Sequence, residues 1–486
     1  MDITKELRAK YRMTIGIESH VQLATNSKLF SGANNDARGL APNTAVHPFD
    51  YGLPGMLPVL NKKAVELAVR AAKAMDSEVA LISRFDRKHY FYPDLPSGYQ
   101  ITQMYQPTIL AGVVEAPLNS GETVRVRIHH AHLETDAGKL THFNSYTLAD
   151  YNRAGTPLIE IVTEPDIHSA EEAKAFCQEL HRRMIYAGVT RGDLYHGNQR
   201  FDINISVAPN GSEGLGKRAE IKNLNSFKSI ERAIEYEFSR QIELIETGQR
   251  VIQETRGWND SKQITTSQRS KEDAQDYRYM PDPDIPPIVL TKEEVENIQK
   301  DMPLLPQDYR NRWASLDVDR SVIDALLANQ NYARIVTEIQ EKTNVSSARR
   351  VAHWFASAVV AEDENEEEIS AEARYISVDD LTNLCLMVDN SEISSSAAKE
   401  IFNELLSGSS DPRAIAHAKN LMQVSDSVEI GAIVDSVLAE PSSAEAIADI
   451  RAGKDKAIGY LVGQVMKVSK GKANPALAQQ LIRQRL

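Results

Sequence analysis

Thr14-Ile15-Gly16-Ile17-Glu18-Ser19-His20-Val21-Gln22-Leu23 alternates with a period of two: Ile15, Ile17, Val21 and Leu23 share one parity with Ser19, and Glu18, His20 and Gln22 share the other. Successive side chains of an extended strand point to opposite faces, so this stretch predicts a strand that buries its apolar set and gathers a carboxylate, an imidazole and an amide on the reverse. The pattern recurs. From Arg127 to Asp136 one parity collects His130, His132, Glu134 and Asp136; from Arg200 to Val207, Arg200, Asp202, Asn204 and Ser206 oppose Phe201, Ile203, Ile205 and Val207; and Arg218, Glu220 and Lys222 oppose Ala219 and Ile221. A solvated sheet face accounts for any one such run. Four runs that concentrate His, Asp, Glu, Asn and Gln favour a site for a hard divalent ion such as Mg²⁺ or Mn²⁺, because clustered carboxylates are costly unless a cation neutralises them.

Strand-like alternation, punctuated by Gly, Pro and Asn, extends from Tyr11 to about Pro287. Three packing helices interrupt it: one capped by Asn61 and reaching Met75, one opened by Ser169 and Glu172 and ended by Gly188, and one lined by Phe227, Ile230, Ile234, Phe238 and Ile242 and ended by Gly248. After the cluster Pro281-Asp282-Pro283-Asp284-Ile285-Pro286-Pro287 the period becomes helical, as in Ser321–Ala328, Ser346–Ala361, Asp379–Val388, Ser395–Leu406 and Ala444–Arg451. Such a proline cluster continues neither a helix nor a central strand. A softer break falls in Gly408-Ser409-Ser410-Asp411-Pro412.

At 486 residues the chain is long for a single core. Its 42% hydrophobic and 25% charged residues suit a globular protein, and no window approaches the length of a membrane span. The start, MDITKELRAKYRMT, lacks the apolar run of an export signal, so a cytoplasmic location is expected. Cys177 and Cys385, both in apolar helical patterns, read as core residues. The net charge of −13 is polarised: the segment from Arg451 to Leu486 carries +7 and the remaining 450 residues carry −20. The tail is either an electrostatic footprint for a polyanion or a solvated helical face. Gly211-Ser212-Glu213-Gly214-Leu215-Gly216-Lys217-Arg218 imitates a P-loop, but Arg218 stands where Ser or Thr should hold Mg²⁺, and the stretch joins two alternating runs; it reads as a hairpin.

Several longer strings resemble the tRNA-dependent amidotransferase proteins of the GatB family, from end to end. They are Gly16-Ile17-Glu18-Ser19-His20-Val21-Gln22-Leu23, Tyr90-Phe91-Tyr92-Pro93-Asp94-Leu95-Pro96, Asn152-Arg153-Ala154-Gly155-Thr156-Pro157-Leu158-Ile159-Glu160, Glu220-Ile221-Lys222-Asn223-Leu224-Asn225-Ser226, Asp276-Tyr277-Arg278-Tyr279 and Gly459-Tyr460-Leu461-Val462-Gly463-Gln464-Val465-Met466. The resemblance implies an α+β fold: a β-rich antiparallel cradle with packing helices (1–292), an all-α helical domain (293–410) and a small helical tail domain that binds tRNA (411–486). It implies ATP-dependent phosphorylation of the side-chain carboxylate of glutamate or aspartate mis-attached to tRNA(Gln) or tRNA(Asn), then amidation with ammonia from a partner amidase subunit, with a small third subunit completing the complex.

The same resemblance carries Glu18, His20, Glu134 and Glu220 onto metal-binding positions, with Asp202 beside them, and implies ATP and Mg²⁺ as cofactors. Glu134, Lys88 and Arg200 would be catalytic; Tyr92, Arg153, Thr156, Lys222 and Asn223 would line the phosphate and the ammonia exit; Lys467, Lys470 and Lys472 would contact tRNA phosphates. His130, His132 and Asp136 would take supporting or structural roles. Two departures stand out. Where many relatives bind a structural zinc through four cysteines this chain has Ser31, Ala33, His47 and Asp50, so no such zinc is expected, and Tyr195-His196 and Thr135 replace acids usual in the family. A non-catalytic tRNA-binding scaffold is the alternative these departures keep open.

Overall fold

Strand β1 (Tyr11–Gln22) buries Ile15, Ile17 and Val21 completely and leaves Glu18, His20 and Gln22 partly open, as its alternation requires. In the computed structural model, which describes residues 4–194, 196–270, 276–364, 376–423, 427–451, 454–469 and 472–486, β1 lies inside an eight-stranded sheet. Tyr195, Lys470 and most of the acid-rich Glu362–Glu372 stretch fall outside the described residues. The other strands are β2 (Gly112–Pro117), β3 (Thr123–Thr135), β4 (Pro157–Thr163), β5 (Gln199–Pro209), β6 (Arg218–Leu224), β7 (Glu254–Asn259) and β8 (Ile264–Ser270), in the order β8-β7-β6-β5-β1-β4-β3-β2.

Neighbours in this sheet run antiparallel except β6 and β7, which are parallel. The sheet is therefore mixed rather than wholly antiparallel. A parallel pair needs a crossover, and helix α3 (Phe227–Glu246) makes it. The P-loop imitation joins antiparallel β5 to β6 as a hairpin, and a Cβ at Gly216 would stand 2.1 Å from the Val207 carbonyl oxygen, so the turn requires glycine there.

Helix α1 (Lys62–Ala74) begins where the Asn61 side chain accepts from the Lys63 N–H, and α2 (Ala170–Tyr186) where the Ser169 hydroxyl accepts from the Glu172 N–H. The Glu172 carboxylate accepts from the His168 N–H, one residue ahead of the expected capping box. Ala173, Phe176, Cys177, Leu180 and Met184 of α2, and Ile230, Ile234, Phe238 and Ile242 of α3, join one core with Ile15, Ile161, Ile203 and Ile221 of the sheet. Each large apolar side chain so buried contributes roughly 1.5–3 kcal/mol, enough to fix which sheet face is dry. The polar parity of the strands is left on the other.

A smaller sheet of Met280–Pro281, Asp86–His89 and Tyr99–Thr102 brings the Asp276–Tyr279 string beside Lys88. The compact first unit continues past the proline cluster to Pro306: Ile285 and Ile288 enter the sheet core, and Met302 and Leu305 pack against it. The second unit, Gln307–Leu486, is built of helices among its described residues. Its core includes Tyr332 stacked on Phe355 at 4.2 Å and Phe355 edge-on to Phe402. Towards the end, Ser427–Ala439, Ile458–Val468 and Pro475–Arg485 form a separate cluster around Ile430, Val434, Leu461, Val465 and Ile482.

Candidate functional site

Register assembles the polar face. Glu18 of β1 pairs with Asp202 of β5, and His20 pairs with Arg200 on one side and with Glu160 of β4 on the other; Glu160 in turn pairs with His132 of β3. Two bulges tune the arrangement. On β3 the register shifts between Ile128 and His130, so Val124, Val126 and Ile128 are core residues while His130, His132 and Glu134, of the same parity, stand on the polar face. On β6, Lys222 and Asn223 together stand opposite Asp202, with Asn223 at φ 65°, a left-handed conformation asparagine tolerates.

Two groups of donors result, each with its ligand atoms within 4.8 Å of one another: His20, Glu134 and Glu160; and Glu18, Asp202 and Glu220. His20 Nε2 lies 3.6 Å from Glu134 and 3.7 Å from Glu160. His132 Nε2 lies 3.4 Å from Glu160 and 3.7 Å from Glu134. Burial disfavours a charged His132, but the two carboxylates outweigh it and push the imidazole up to about 9. Burial likewise opposes ionisation of Glu160, yet His132, His20 and Lys88 hold its carboxyl well below the usual range.

The second group is partly neutralised by Lys222, whose Nζ lies 2.6 Å from Asp202 and 3.1 Å from Glu220. Burial opposes that ammonium, and the two acids still hold it above the ordinary lysine value. Glu18 has no cationic partner among its described contacts; Asn204 Nδ2 donates to it at 3.0 Å. Its carboxyl is pushed up first by burial and then by Glu160, Glu220 and Asp202. A carboxyl under that pressure, among hard oxygen donors, fits a divalent cation.

A cavity of about 390 Å³ opens on this face, lined by His20, Tyr90, Gln100, Glu134, Asp136, Arg200, Asp202, Lys222 and Asn223. Lys88 is not part of that lining: burial lowers its ammonium, but Tyr279, Glu134 and Glu160 raise it above the usual value, and its Nζ lies 4.9 Å over the Tyr277 ring. Tyr92 is half-exposed and stacks on Tyr90. Arg153 and Thr156 are placed elsewhere. They line a neighbouring cavity of about 180 Å³ with Gln22, Asn35, Asp36, Arg38, Arg191, His196 and Asn198.

Of the residues that the sequence singles out, Glu18, His20, Glu134, Arg200, Asp202, Glu220, Lys222 and Asn223 thus share one face. Glu160 and His132 belong to it as well, although the sequence gives Glu160 no role and His132 only a supporting one. A signal exists in Pro157–Thr163, where Leu158, Glu160 and Val162 oppose Ile159 and Ile161, but apolar neighbours of the same parity hide a lone acid. Ser31 Oγ donates to Asp50 Oδ2 at 3.0 Å, and Lys28 Nζ lies 3.3 Å from the same oxygen, so an ion pair holds the loop that contains Ser31, Ala33, His47 and Asp50. In the second unit, Lys467 is exposed and Lys472 partly so.

Fold and face together define an α+β protein with a charge-paired polar site on its sheet and a helical second unit. The family model described as "GatB/GatE catalytic domain" matches residues 13–296, and the one described as "GatB domain" matches residues 335–486. Relatives named as the B subunit of aspartyl/glutamyl-tRNA(Asn/Gln) amidotransferase are similar over their whole length. One from Synechococcus sp. (strain JA-2-3B'a(2-13)) is 43% identical with all of both chains covered. Those from Alcanivorax borkumensis and Caldicellulosiruptor saccharolyticus are 44% and 42% identical, each covering 98% of this chain and 99% of the relative. The chain belongs to the GatB family.

Proposed function

We propose that this chain activates and amidates the side-chain carboxylate of glutamate or aspartate esterified to tRNA(Gln) or tRNA(Asn), within a tRNA-dependent amidotransferase complex. A carboxylate is a poor electrophile. Transfer of the γ-phosphoryl group of ATP to it breaks the bond to ADP and forms an acyl phosphate; ammonia then attacks the carbonyl carbon, phosphate leaves, and the nitrogen gives up a proton. The observation that carries this reading is one cavity whose wall sets Arg200 and Lys222 beside the carboxylates of Glu134 and Asp202. Phosphoryl transfer needs that combination, since charge spreads over the phosphoryl oxygens while the substrate is itself an anion.

Glu18, Asp202 and Glu220 would hold one Mg²⁺, and His20, Glu134 and Glu160 a second. Bound there, the ion supplies charge neutralisation at the phosphoryl oxygens. Arg200 and Lys222 bind phosphate oxygens, and Lys88, with His132 and His20, helps keep the Glu160 carboxylate ionised. Tyr90, with Tyr92 stacked on it, walls the cavity from water, which would hydrolyse an acyl phosphate. Ammonia comes from an amidase subunit, with a small third subunit in the complex, and the basic tail including Lys467 and Lys472 holds the tRNA.

The test is direct. The chain, its amidase partner, mischarged tRNA, glutamine, ATP and Mg²⁺ should yield ADP and amidated aminoacyl-tRNA. Absence of both products would sink the reading, and tRNA binding without turnover would establish the scaffold alternative.

A further inference from the structure

Between the two cavities stands a carboxylate that the proposed chemistry does not use. Asp136 follows β3 directly, is almost closed off from solvent, and its Oδ2 lies 3.2 Å from a guanidinium nitrogen of Arg200 and 3.2 Å from one of Arg153. Arg200 lines the larger cavity beside His20 and Glu134; Arg153 lines the smaller one. One acid therefore ties together two cations that open onto different spaces.

The two arginines are not held alike. Arg153 is fixed three ways: besides Asp136, its Nε donates to the Ala137 carbonyl at 3.1 Å and another guanidinium nitrogen to that of Gly138 at 3.3 Å. Its turn is tied to Asp136 through the backbone as well, by Asp136 N–H to Thr156 O at 2.8 Å and Gly155 N–H to Asp136 O at 3.0 Å. Asp136 Oδ1 accepts from the Ala137 N–H at 2.9 Å, which fixes the carboxylate plane. Arg200 engages Asp136 through one terminal nitrogen, and a guanidinium has five N–H donors.

We infer that Arg153 and Asp136 are positioning residues that act through Arg200: Arg153 anchors the Asp136 carboxylate, and the carboxylate aims the Arg200 guanidinium at the phosphoryl oxygens of the nucleotide. Arg153 is then no phosphate ligand itself. The arrangement also sets net charge: one acid between two guanidiniums leaves a single positive charge, while an Arg200 without its acceptor would lose its aim to solvent. A positioned charge-assisted hydrogen bond is worth about tenfold or more in affinity.

This inference rests on the phosphoryl-transfer reading, and its test separates the two. With the assembled complex, Asp136→Asn should raise both KM for ATP and the calorimetric Kd for ATP by about tenfold, while KM for mischarged tRNA stays within about twofold and the variant, though it melts at a lower temperature, still unfolds cooperatively. Arg153→Gln should move the ATP parameters the same way by less. In an Arg200→Gln background neither change should add a further rise, because both act through that side chain. Unaltered ATP binding in Asp136→Asn, or effects that add in full without Arg200, would overturn the inference. Should Asp136→Asn not fold, Asp136→Glu displaces the carboxylate by one methylene and must still weaken ATP binding; unchanged ATP binding in that variant overturns it equally. A wild-type complex that makes no tRNA-dependent ADP would refute the phosphoryl-transfer reading instead.

Discussion

Lys28 Nζ lies 3.3 Å from Asp50 Oδ2, and both side chains are sealed from water. Burial alone would drive the ammonium towards neutrality. Asp50 opposes that only in part, so the ammonium stays below the ordinary lysine value, and it donates to the Tyr151 carbonyl, at the head of the turn that carries Arg153 and Thr156. Gly155 packs so closely on Asp50 that a Cβ there would stand 2.7 Å from its oxygen. The pair therefore joins the loop after β1 to the turn behind the site. Lys28→Met alone strands a buried carboxylate and should cost about 3–5 kcal/mol, whereas Lys28→Met with Asp50→Leu should recover most of it. Thermal melting checks both, and a zinc-selective chelator should leave the wild-type Tm unmoved, since Ser31, Ala33, His47 and Asp50 offer an ion-paired loop rather than thiolates.

Glu160 is the donor that alternation does not single out, and its removal should be as damaging as that of Glu134. Glu160→Gln leaves His132 and His20 without the acid between them and takes a ligand from the first donor group. Mn²⁺ affinity followed by calorimetry should fall on the order of 10- to 100-fold, and tRNA-dependent ADP formation with it. An unchanged Mn²⁺ isotherm would remove Glu160 from the site.

Why the polar parity of β1, β5 and β6 can be read while that of β4 cannot is a matter of dilution. Glu18, His20 and Gln22 form an unbroken polar set, whereas Glu160 shares its parity with Leu158 and Val162 and becomes visible only through its pairing with His20 and His132. The β3 bulge shows a second limit. Read as one strand, Thr123–Thr135 places Val124, Val126 and Ile128 on the parity of His130 and Glu134; the extra residue at His129 moves them apart, and nothing in the local sequence marks the shift. Helices α1, α2 and α3 are legible because capping side chains and apolar stripes are local signals. The parallel pairing of β6 with β7 is set by where α3 returns the chain, a long-range outcome. The separation of Arg153 from Arg200 into two cavities depends on Asp136 standing between them.

His130 should make the first unit acid-sensitive. Burial, then the neighbouring His132 and His129, lower its imidazole from 6.5 to about 4. Above pH 6.5 neither folded nor unfolded chain carries the proton. Between 6.5 and about 4 the unfolded chain binds a proton that the fold refuses, so stability falls as pH drops through this window. His130 is partly exposed, and solvent screening reduces the effect to about 1 kcal/mol at pH 5. The gap in unfolding free energy between wild type and His130→Gln should therefore shift by about that amount, in favour of the variant, on going from pH 8 to pH 5; a constant gap would contradict the assignment.

The basic tail is best probed by point substitution rather than truncation. Removing Arg451 to Leu486 would take away Leu461, Val465 and Ile482 and leave Ile430, Val434 and Val437 of Ser427–Ala439 without their packing partners, so lost binding would not distinguish charge from unfolding. Lys467 is exposed in the last turn of Ile458–Val468, and Lys472 precedes the Asn474 cap of Pro475–Arg485, so alanine at either removes charge and little buried surface. Lys470 lies outside the described residues. Each tRNA phosphate neutralised by a lysine releases condensed counterion, which steepens the salt dependence of binding by roughly 0.7–0.9 in a log–log plot. Lys467→Ala with Lys472→Ala should weaken tRNA binding and flatten that slope by roughly 1.5, while ADP formation at saturating tRNA keeps its kcat. A slope equal to that of the wild type would mean that the +7 of this segment is a solvated face, and that the acidic body is held to tRNA by some other surface.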